Sequence, residues 1–355
     1  MTGEGDRLKN QRFFNRKFVP TLLASWLTNS QAVRKAWVLC EKIFSHASLC
    51  LRPNTQVEQE WGISMALFQI SNDRITIQVD SMGAELKSLK KIATGTEYMW
   101  NADPQYWKRT SPVLFPLVGG LQGGVYRQDG REYPMGQHGF ARDMEFKLKS
   151  QSATEVWFTL QSDEATLAKY PYPFILDLGY ELEDQTVIVK WRVKNPAKGS
   201  MHFSIGGHPA FLCPILEDTK QTDYSLLFDA QEQVIASGLE NGLIGEKKAA
   251  YKLKNGILPI TENLFDNDAL VIEHDQAHSV ALVKPDGRPY LTVTFDAPLF
   301  GIWSPPKKRA PFICIEPWYG RCDRAGYAGE WKDREWVQVL NAGETFAADY
   351  RVAID

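Results

Sequence analysis

Hydrophobic and polar residues alternate with a period of two along most of the chain. The segments 75–80 and 187–193 show this alternation clearly. Because successive side chains of a strand point to opposite faces, the pattern predicts half-buried β-strands. Asp129-Gly130 and Pro285-Asp286-Gly287 each separate two such segments. These tight-turn sequences predict hairpins, and therefore antiparallel neighbouring strands.

The order of these segments predicts the fold class. The chain has no regular alternation of strands and helices, no Gly-rich loop that enters a helix, and no internal repeat of fixed period. Their absence argues against a nucleotide-binding α/β fold. No polar linker rich in Pro and Gly divides residues 65–355. We therefore predict a mainly β protein, in which 65–355 form one large antiparallel β-sandwich domain with short helices in its loops.

The first 64 residues follow a different pattern. Apolar residues between 18 and 44 recur at helix-like spacing, which predicts a short N-terminal extension that is helical or poorly ordered. The basic residues of its first part also fit a targeting peptide, but Glu4 and Asp6 weaken that interpretation. A third account is that translation starts at Met65, which opens directly into the first strand-like segment. We assign no chemistry to this extension.

Composition limits the classes of partner and the compartment. With 40 basic and 43 acidic residues, the net charge of −3 gives no basic surface of the kind that binds nucleic acid. No run of 18 apolar residues predicts a membrane span. The five cysteines include no Cys-x-x-Cys pair, so a reducing, cytoplasmic location fits best. We expect neither a nucleic acid partner nor a membrane.

Two glycines precede His208 and Pro209 follows it, so the strand that carries 201–205 is expected to end before this histidine. An imidazole displayed at a strand end can act as a general acid near neutral pH. The alternative is a structural histidine whose ring bonds a nearby carbonyl group.

Glu316 follows an apolar segment, 311–315, and precedes Pro317, so we expect a strand to end at this carboxylate. A buried carboxylate is paired with a cation, hydrogen-bonded by a ligand, or raised in pKa for acid and base chemistry. The structural alternative is a salt bridge to one of three arginines, namely Arg309, Arg321 or Arg324.

Further candidate ligand-binding residues lie in polar loops. His138 and Arg142 are four residues apart, and together they could hydrogen-bond several oxygens of a polyol or an anion. Arg142 could instead pair with Asp143 or Glu145 on the surface. Trp303 and Trp318 flank loops and offer flat apolar faces to a sugar ring, whereas Trp157 and Trp191 lie in strand patterns and should pack in the core.

The remaining histidines are expected to be structural or on the surface; these are His202, His274 and His278. The histidines are far apart in sequence and form no metal-binding motif, so we expect no metal and no cofactor.

Six ordered motifs give the chain a resemblance to the aldose 1-epimerase (galactose mutarotase) family, in particular to its LacX-like branch. The resemblance extends from about Met65 to the C-terminus. The motifs are Leu114-Phe115-Pro116, His138-Gly139-Phe140-Ala141-Arg142, Gly207-His208-Pro209-Ala210-Phe211, Phe265-Asp266-Asn267-Asp268-Ala269-Leu270, Gly301-Ile302-Trp303-Ser304 and Cys314-Ile315-Glu316-Pro317-Trp318.

This resemblance implies a large antiparallel β-sandwich, of the galactose mutarotase-like supersandwich type, that interconverts the α and β anomers of free hexoses without a cofactor. It implies that Glu316 removes the proton of the anomeric hydroxyl group and that His208 protonates the ring oxygen. It further implies that His138, Arg142 and Asp268 bind the monosaccharide, although Asp268 could instead cap a turn. In one departure from the family pattern, Gly119-Gly120 stands where relatives carry Gly-Arg.

Two alternative functions remain open. One is a hexose-6-phosphate mutarotase, in which Lys307, Lys308 and Arg309 act with Arg142 to bind the phosphate. The other is a carbohydrate-binding protein without catalytic activity, which would have no need of an opposed acid and base such as His208 and Glu316.

Overall fold

The computed structural model describes residues 66–355, so the predicted extension over 1–64 and the start at Met65 lie outside the described residues. The described chain forms the α-helix α1, Glu164–Lys169, and 3-10 turns at Gln122–Gly124, Ala141–Asp143, Gln221–Asp223 and Trp331–Asp333. None of the helices in this part of the chain is long and apolar enough to cross a membrane.

The rest of the regular structure consists of strands. In chain order they are β1 Leu67–Ser71, β2 Ile75–Asp80, β3 Glu85–Lys91, β4 Val113–Leu114, β5 Val125–Gln128, β6 Arg131–Pro134, β7 Lys147–Gln151, β8 Glu155–Gln161, β9 Ile175–Glu183, β10 Thr186–Lys194, β11 Met201–Phe203, β12 Ile205–Gly207, β13 Ala210–Leu212, β14 Ser225–Phe228, β15 Gln233–Glu240, β16 Leu243–Lys252, β17 Ile257–Pro259, β18 Leu270–Glu273, β19 Ser279–Val283, β20 Pro289–Phe295, β21 Leu299–Trp303, β22 Phe312–Tyr319, β23 Gln338–Leu340 and β24 Thr345–Ile354.

Two large sheets dominate the architecture. The nine-stranded sheet has the order β17-β14-β19-β20-β24-β10-β9-β8-β7. The eight-stranded sheet has the order β16-β15-β18-β21-β22-β12-β4, with β13 also paired to β22. Smaller sheets are formed by β1-β2-β3, β11-β23 and β5-β6. The strand pairs in these sheets are antiparallel, which confirms the predicted mainly β fold.

The main core lies between the two large sheets. Leu176 and Leu178 of β9 belong to the same buried cluster as Ile313 and Ile315 of β22. The sandwich expected from the alternating pattern is therefore confirmed, because each sheet buries the apolar face of its strands against the other. Both predicted hairpins are also present, joining β5 to β6 and β19 to β20.

The turn between β5 and β6 shows why its sequence predicted a hairpin. Gln128 pairs with Arg131, so the connection is Asp129-Gly130 alone. Both turn residues have positive φ, 50° for Asp129 and 72° for Gly130. This conformation matches the twist of the flanking strands and is easiest for Asp, Asn and Gly.

The second face of the eight-stranded sheet is also covered. Ile313 and Ile315 of β22 face the core, while Cys314, Glu316 and Trp318 project from the opposite side. All residues of β22 are buried except Tyr319, which is partly exposed. Loops therefore enclose this outer face, and a carboxylate on it is withdrawn from solvent.

Contrary to the sequence prediction, the strand does not end at Glu316, because β22 continues to Tyr319. The partner on one side of β22 changes at this point, since β13 pairs with residues 312–314 and β12 pairs with 318–319. Pro317 lies between these two pairings and faces Phe300 of β21 on the other side. A proline is tolerated inside the sheet here because this gap demands no strand hydrogen bond from its nitrogen.

The segment before His208 was predicted as a strand over 201–205, and the structure divides it. Met201–Phe203 is β11 and pairs with β23, whereas Ile205–Gly207 is β12 and joins the eight-stranded sheet. The N–H of Ser204, at the division, donates to the carbonyl oxygen of Pro116 at 2.7 Å. The regular strand ends at Gly207, one residue before His208, as predicted.

Candidate active site

A cavity of about 580 Å³ opens on the outer face of the eight-stranded sheet. The residues that the sequence predicted for catalysis and sugar binding all line it. They are His138, Arg142, His208, Asp268, Trp303, Glu316 and Trp318. The fold therefore brings together side chains that are up to 180 positions apart in the sequence. This convergence depends on the sheet order, which places β12, β22, β21 and β18 side by side.

His208 and Glu316 face each other at the base of this cavity. His208 and Pro209 form the two-residue interruption between β12 and β13, and Glu316 occupies the matching position on β22. Nε2 of His208 lies 3.3 Å from Oε2 of Glu316. The side chains are only 8% and 2% exposed, respectively. The interruption in strand pairing therefore opposes one imidazole and one carboxyl group in a nearly dry environment.

Neither group has the structural partner that the alternative interpretations required. Among residues 66–355, Nδ1 of His208 and Oε2 of Glu316 have no hydrogen-bond partner, so the 3.3 Å approach is a contact without hydrogen-bond alignment. The three arginines proposed as partners of Glu316 pair elsewhere: Arg309 with Glu262, Arg321 with Glu273 and Glu335, and Arg324 with Glu335. The salt bridge considered for Glu316 is therefore wrong, and Nδ1 of His208 makes no hydrogen bond to a carbonyl group of the described chain.

Burial disfavours the charged form of each member of the pair. It raises the pKa of Glu316 well above its ordinary value, and the nearby carboxylate of Asp268 acts in the same direction. Burial and the charge of Arg142, with a smaller contribution from Arg109, lower the pKa of His208 to about 3. Both shifts favour the uncharged form of each group, with the proton on Glu316 and His208 neutral.

The loop that carries His138 fixes the tautomer of this second histidine. The N–H of Gly119 donates to Nδ1 of His138 at 3.1 Å, and the N–H of His138 donates to the carbonyl oxygen of Gly119 at 2.8 Å. Because a backbone N–H can only donate, Nδ1 is unprotonated and the proton of neutral His138 is on Nε2. Burial, followed by His208, Arg142 and Arg109, lowers the pKa of His138 well below its usual range. His138 is therefore a neutral hydrogen-bond donor.

Arg142 is held at the cavity wall and is not a solvated surface residue. Its Nη2 donates to the carbonyl oxygen of Gln137 at 2.7 Å, and its side chain is 16% exposed. The alternative pairing with Asp143 is weak, since Nε of Arg142 and Oδ2 of Asp143 are 3.8 Å apart. Arg109 forms the direct pair with Asp143, at 2.7 Å. Arg142 thus keeps a buried Nε without a hydrogen-bond partner in the described chain.

Asp268 both caps a turn and supports the cavity wall. Oδ1 accepts hydrogen bonds from the N–H of Ala269 at 2.9 Å and from Nε1 of Trp303 at 3.0 Å. The first bond is the turn cap that the sequence left open as an alternative. The second bond fixes the indole of Trp303 beside His208, with ring centroids 5.5 Å apart. The carboxylate therefore orients an aromatic wall whether or not it touches a ligand.

Trp318 lies against the sheet because two neighbouring positions are glycine. A Cβ on Gly206 would stand 2.5 Å from Cδ1 of the indole, and a Cβ on Gly301 would stand 2.4 Å from Cη2. Any side chain at either position would therefore displace the ring. In contrast to Trp303 and Trp318, Trp157 and Trp191 are buried in strands β8 and β10, as predicted.

Sequence reasoning missed a third tryptophan. Trp107 stacks on the imidazole of His208, with ring centroids 4.6 Å apart and an interplanar angle of 27°. Its neighbours Lys108 and Arg109 also line the cavity. The signal in the sequence was an aromatic residue followed by two cations in a loop without strand periodicity, which is an unusual place for a core tryptophan.

The predicted cationic cluster does not form part of this site. Lys307 and Arg309 line a separate cavity of about 310 Å³. Lys308 donates to the carbonyl oxygen of Tyr106 at 3.0 Å. The prediction that these three residues bind a phosphate together with Arg142 is therefore wrong. Positive charge in the site itself comes from Lys108, Arg109 and Arg142.

Cys314 lies directly beneath the acid and base pair. It precedes Glu316 by two positions, so both side chains project from the same face of β22. The ligand-type atoms of His208, Cys314 and Glu316 all lie within 4.8 Å of one another. The sequence spacing showed no metal-binding motif, because these residues come together only through the pairing of separate strands.

Comparison with known proteins agrees with the fold and the motifs. The family model described as aldose 1-epimerase matches residues 66–353. Protein LacX, chromosomal, from Lactococcus lactis subsp. lactis is 34% identical over 296 residues, which cover 81% of this chain and 98% of that protein.

Two solved structures extend this similarity to three dimensions. A galactose mutarotase related enzyme from Lactobacillus acidophilus has a TM-score of 0.77 and 29% identity, covering 82% of this chain and 97% of that chain. A galactose mutarotase-like protein from Lactobacillus casei ATCC 334 has a TM-score of 0.75 and 30% identity, covering 82% of this chain and 100% of that chain. The family model spans most of the chain and LacX aligns over nearly its whole length; the chain therefore belongs to the aldose 1-epimerase family, in its LacX-like branch.

Proposed function

We propose that the protein is a mutarotase that interconverts the α and β anomers of hexoses by general acid and base catalysis. The observation that carries the proposal is the 3.3 Å approach of Nε2 of His208 to Oε2 of Glu316 in the cavity, where both side chains are buried and Oε2 has no hydrogen-bond partner among the described residues. A cyclic sugar offers two oxygens on one carbon, the anomeric hydroxyl and the ring oxygen, and ring opening needs a base for the first and an acid for the second.

In the reactive state, Glu316 is a carboxylate and His208 is an imidazolium. This state has the same number of protons as the resting neutral pair, so it is reached by moving one proton from Glu316 to His208 without exchange with solvent. The raised pKa of Glu316 and the lowered pKa of His208 both favour a pair that carries a single proton. Sugar oxygens bound beside Nε2 of His208 and Oε2 of Glu316 would provide the hydrogen bonds that these two atoms do not make with each other.

The reaction then proceeds by two proton transfers. Glu316 accepts the proton of the anomeric hydroxyl while His208 donates its proton to the ring oxygen, the bond from C1 to the ring oxygen breaks, and C1 becomes an aldehyde carbon. Rotation about the C1–C2 bond presents the opposite face of the aldehyde. Reclosure reverses both proton transfers, so both residues return to their starting protonation.

The other cavity residues have roles that follow from their hydrogen-bonding capacity. The neutral His138 presents its Nε2–H to a sugar oxygen, since Nδ1 is occupied by Gly119. Arg142 can hydrogen-bond a hydroxyl through its buried Nε. Trp107, Trp303 and Trp318 provide apolar faces for the C–H groups of the ring. Arg109 and Arg142 also supply guanidinium groups from loops other than the one in which relatives carry Gly-Arg.

A second candidate, a mutarotase for hexoses with an anionic group on C6, is supported by the charge of the cavity wall. Lys108, Arg109 and Arg142 line the cavity, and the charges of Arg142 and Arg109 both act on His208. If His208 protonates the ring oxygen, the substituent of the adjacent carbon C5 lies near this cationic side. A phosphate on C6 would meet it there.

Polarimetry on freshly dissolved α-glucose, α-galactose and α-glucose 6-phosphate tests both candidates. The protein should accelerate mutarotation of the neutral hexoses; a strong preference for the phosphate would replace the first candidate with the second. No acceleration on any of the three would favour a carbohydrate-binding protein without catalytic activity, an interpretation that leaves the opposed His208 and Glu316 unexplained.

A further inference from the structure

We propose that His208, Cys314 and Glu316 form a binding site for a borderline-soft divalent cation such as Zn²⁺, and that this cation inhibits the protein. Binding of the cation is independent of the proposed function, whereas its inhibitory effect rests on the proposed acid and base pair. The three residues offer one imidazole nitrogen, one thiolate sulfur and one carboxylate oxygen, which are the donor types that Zn²⁺ takes in proteins.

The geometry is close to that of a tetrahedral site. Tetrahedral zinc with ordinary bond lengths separates its nitrogen, oxygen and sulfur ligands by about 3.3 to 3.6 Å. Nε2 of His208 and Oε2 of Glu316 are already 3.3 Å apart. The sulfur of Cys314 lies within 4.8 Å of both ligand groups, so a shift of about 1 Å completes three corners. The cavity that His208 and Glu316 line gives access for a fourth ligand.

The carboxylate oxygen needed for coordination is not engaged elsewhere. Oε2 of Glu316 is buried without a hydrogen-bond partner in the part of the chain that the structure describes. All three residues are buried. Buried polar atoms without partners carry a desolvation penalty that a bound cation would remove.

The charged groups near the three residues have opposing effects on cation binding. The carboxylate of Asp268 lies close enough to Glu316 to raise its pKa, so it favours a bound cation. Arg142 and Arg109 oppose the cation, but together with burial they also keep His208 neutral, which is the form that binds metal. Burial raises the pKa of the Cys314 thiol, so the thiol is protonated before binding.

Coordination is therefore accompanied by proton release. The thiol of Cys314 and the carboxyl group of Glu316 each lose a proton to solvent, and the cation keeps its oxidation state throughout. Once both groups and His208 are bound to the cation, the pair has neither a free base nor a transferable proton. Inhibition should follow site occupancy.

Cobalt provides a direct probe, because a thiolate bound to Co²⁺ gives a near-ultraviolet charge-transfer band. We expect this band when Co²⁺ is added to the metal-free, full-length protein, and we expect Zn²⁺ to remove it by displacement. Cys314→Ala should abolish the band and weaken Zn²⁺ binding, measured by calorimetry, on the order of a hundredfold. Cys314→Ser serves as a second variant if the alanine form does not fold.

Cys322→Ala is the matched control, because Cys322 is also a buried cysteine at the cavity but does not belong to the group of three. This variant should keep the cobalt band and wild-type Zn²⁺ affinity. The proposal is overturned if Co²⁺ binds without a thiolate band, if Cys314→Ala binds Zn²⁺ as tightly as the wild type, or if the control variant loses the band instead. These readouts need no enzymatic activity, so they separate this proposal from the proposed function.

Discussion

Nε2 of His208 and Oε2 of Glu316 face each other at 3.3 Å across the interruption between β12 and β13. The interruption places the two side chains opposite each other, and the covered sheet face removes their polar atoms from water. A buried acid and a buried base without other partners destabilise the fold, and such an arrangement is typical of functional sites. The predictions below follow from this relationship and from the residues that surround it.

Replacement of Glu316 by glutamine should stabilise the protein at neutral pH. The raised pKa of Glu316 means that the folded state retains a proton that the unfolded state loses above the ordinary value of 4.5. The free energy of unfolding of the wild type therefore falls by about 1.4 kcal/mol per pH unit from there up to the raised pKa. Glu316→Gln removes this dependence, so its advantage in thermal unfolding should grow as the pH rises above 4.5.

His208→Asn should show the opposite pH dependence. The pKa of His208 is lowered from 6.5 to about 3, so the unfolded state binds a proton that the folded state excludes in this interval. The wild type therefore loses stability as the pH falls below 6.5, and the variant should lose less. If the stability differences of both variants from the wild type were independent of pH, the assigned protonation states would be wrong.

Gly301→Ala should damage the site through Trp318 while leaving the proposed catalytic side chains in place. The new Cβ would stand 2.4 Å from Cη2 of Trp318, so the indole must move away from the sheet. Overpacking of this kind destabilises by about 1 to 3 kcal/mol, and we expect a lower kcat/KM together with a lower melting temperature. Gly136→Ala is the control, because a Cβ there meets nothing within 4 Å. Equal behaviour of the two variants would contradict the described position of Trp318.

Lys108→Met tests the cationic side of the cavity. Lys108 is exposed and lines the cavity, so its removal should leave the fold intact. If the substrate carries a phosphate on C6, loss of one charge-assisted hydrogen bond should reduce kcat/KM for glucose 6-phosphate about tenfold relative to glucose. Lys307→Met, in the separate cavity, should leave this ratio unchanged. An unchanged ratio in Lys108→Met as well would remove Lys108 from phosphate recognition.

The fold and the positions of His208 and Glu316 could be predicted because they depend on local patterns. Strand alternation and the Asp-Gly turn are encoded within a few residues, and His208 follows a strand that ends at two glycines. The continuation of β22 beyond Glu316 could not be predicted in this way. A proline is normally unfavourable inside an interior strand. Pro317 is acceptable in β22 because the strand partner changes from β13 to β12 at this point.

Contacts between distant segments explain the other differences. Trp107 reaches His208 from a loop 101 positions earlier in the chain, and no motif connects the two. Lys307 and Arg309 are near Trp303 in sequence but line another cavity, so closeness along the chain wrongly predicted closeness in space. The approach of Cys314 to His208 likewise depends on the pairing of separate strands. Sequence patterns specify elements and motifs, whereas the charge and shape of the cavity arise from how those elements pack.

The most direct test of the acid and base pair is the rate of exchange between the α and β anomers at equilibrium, measured by NMR magnetisation transfer in wild-type protein, His208→Asn and Glu316→Gln. Wild-type protein should accelerate the exchange, and each variant should lose at least on the order of a hundredfold in turnover while its circular dichroism spectrum remains that of the wild type. Folded variants that exchange the anomers as fast as the wild type would contradict the roles proposed for His208 and Glu316.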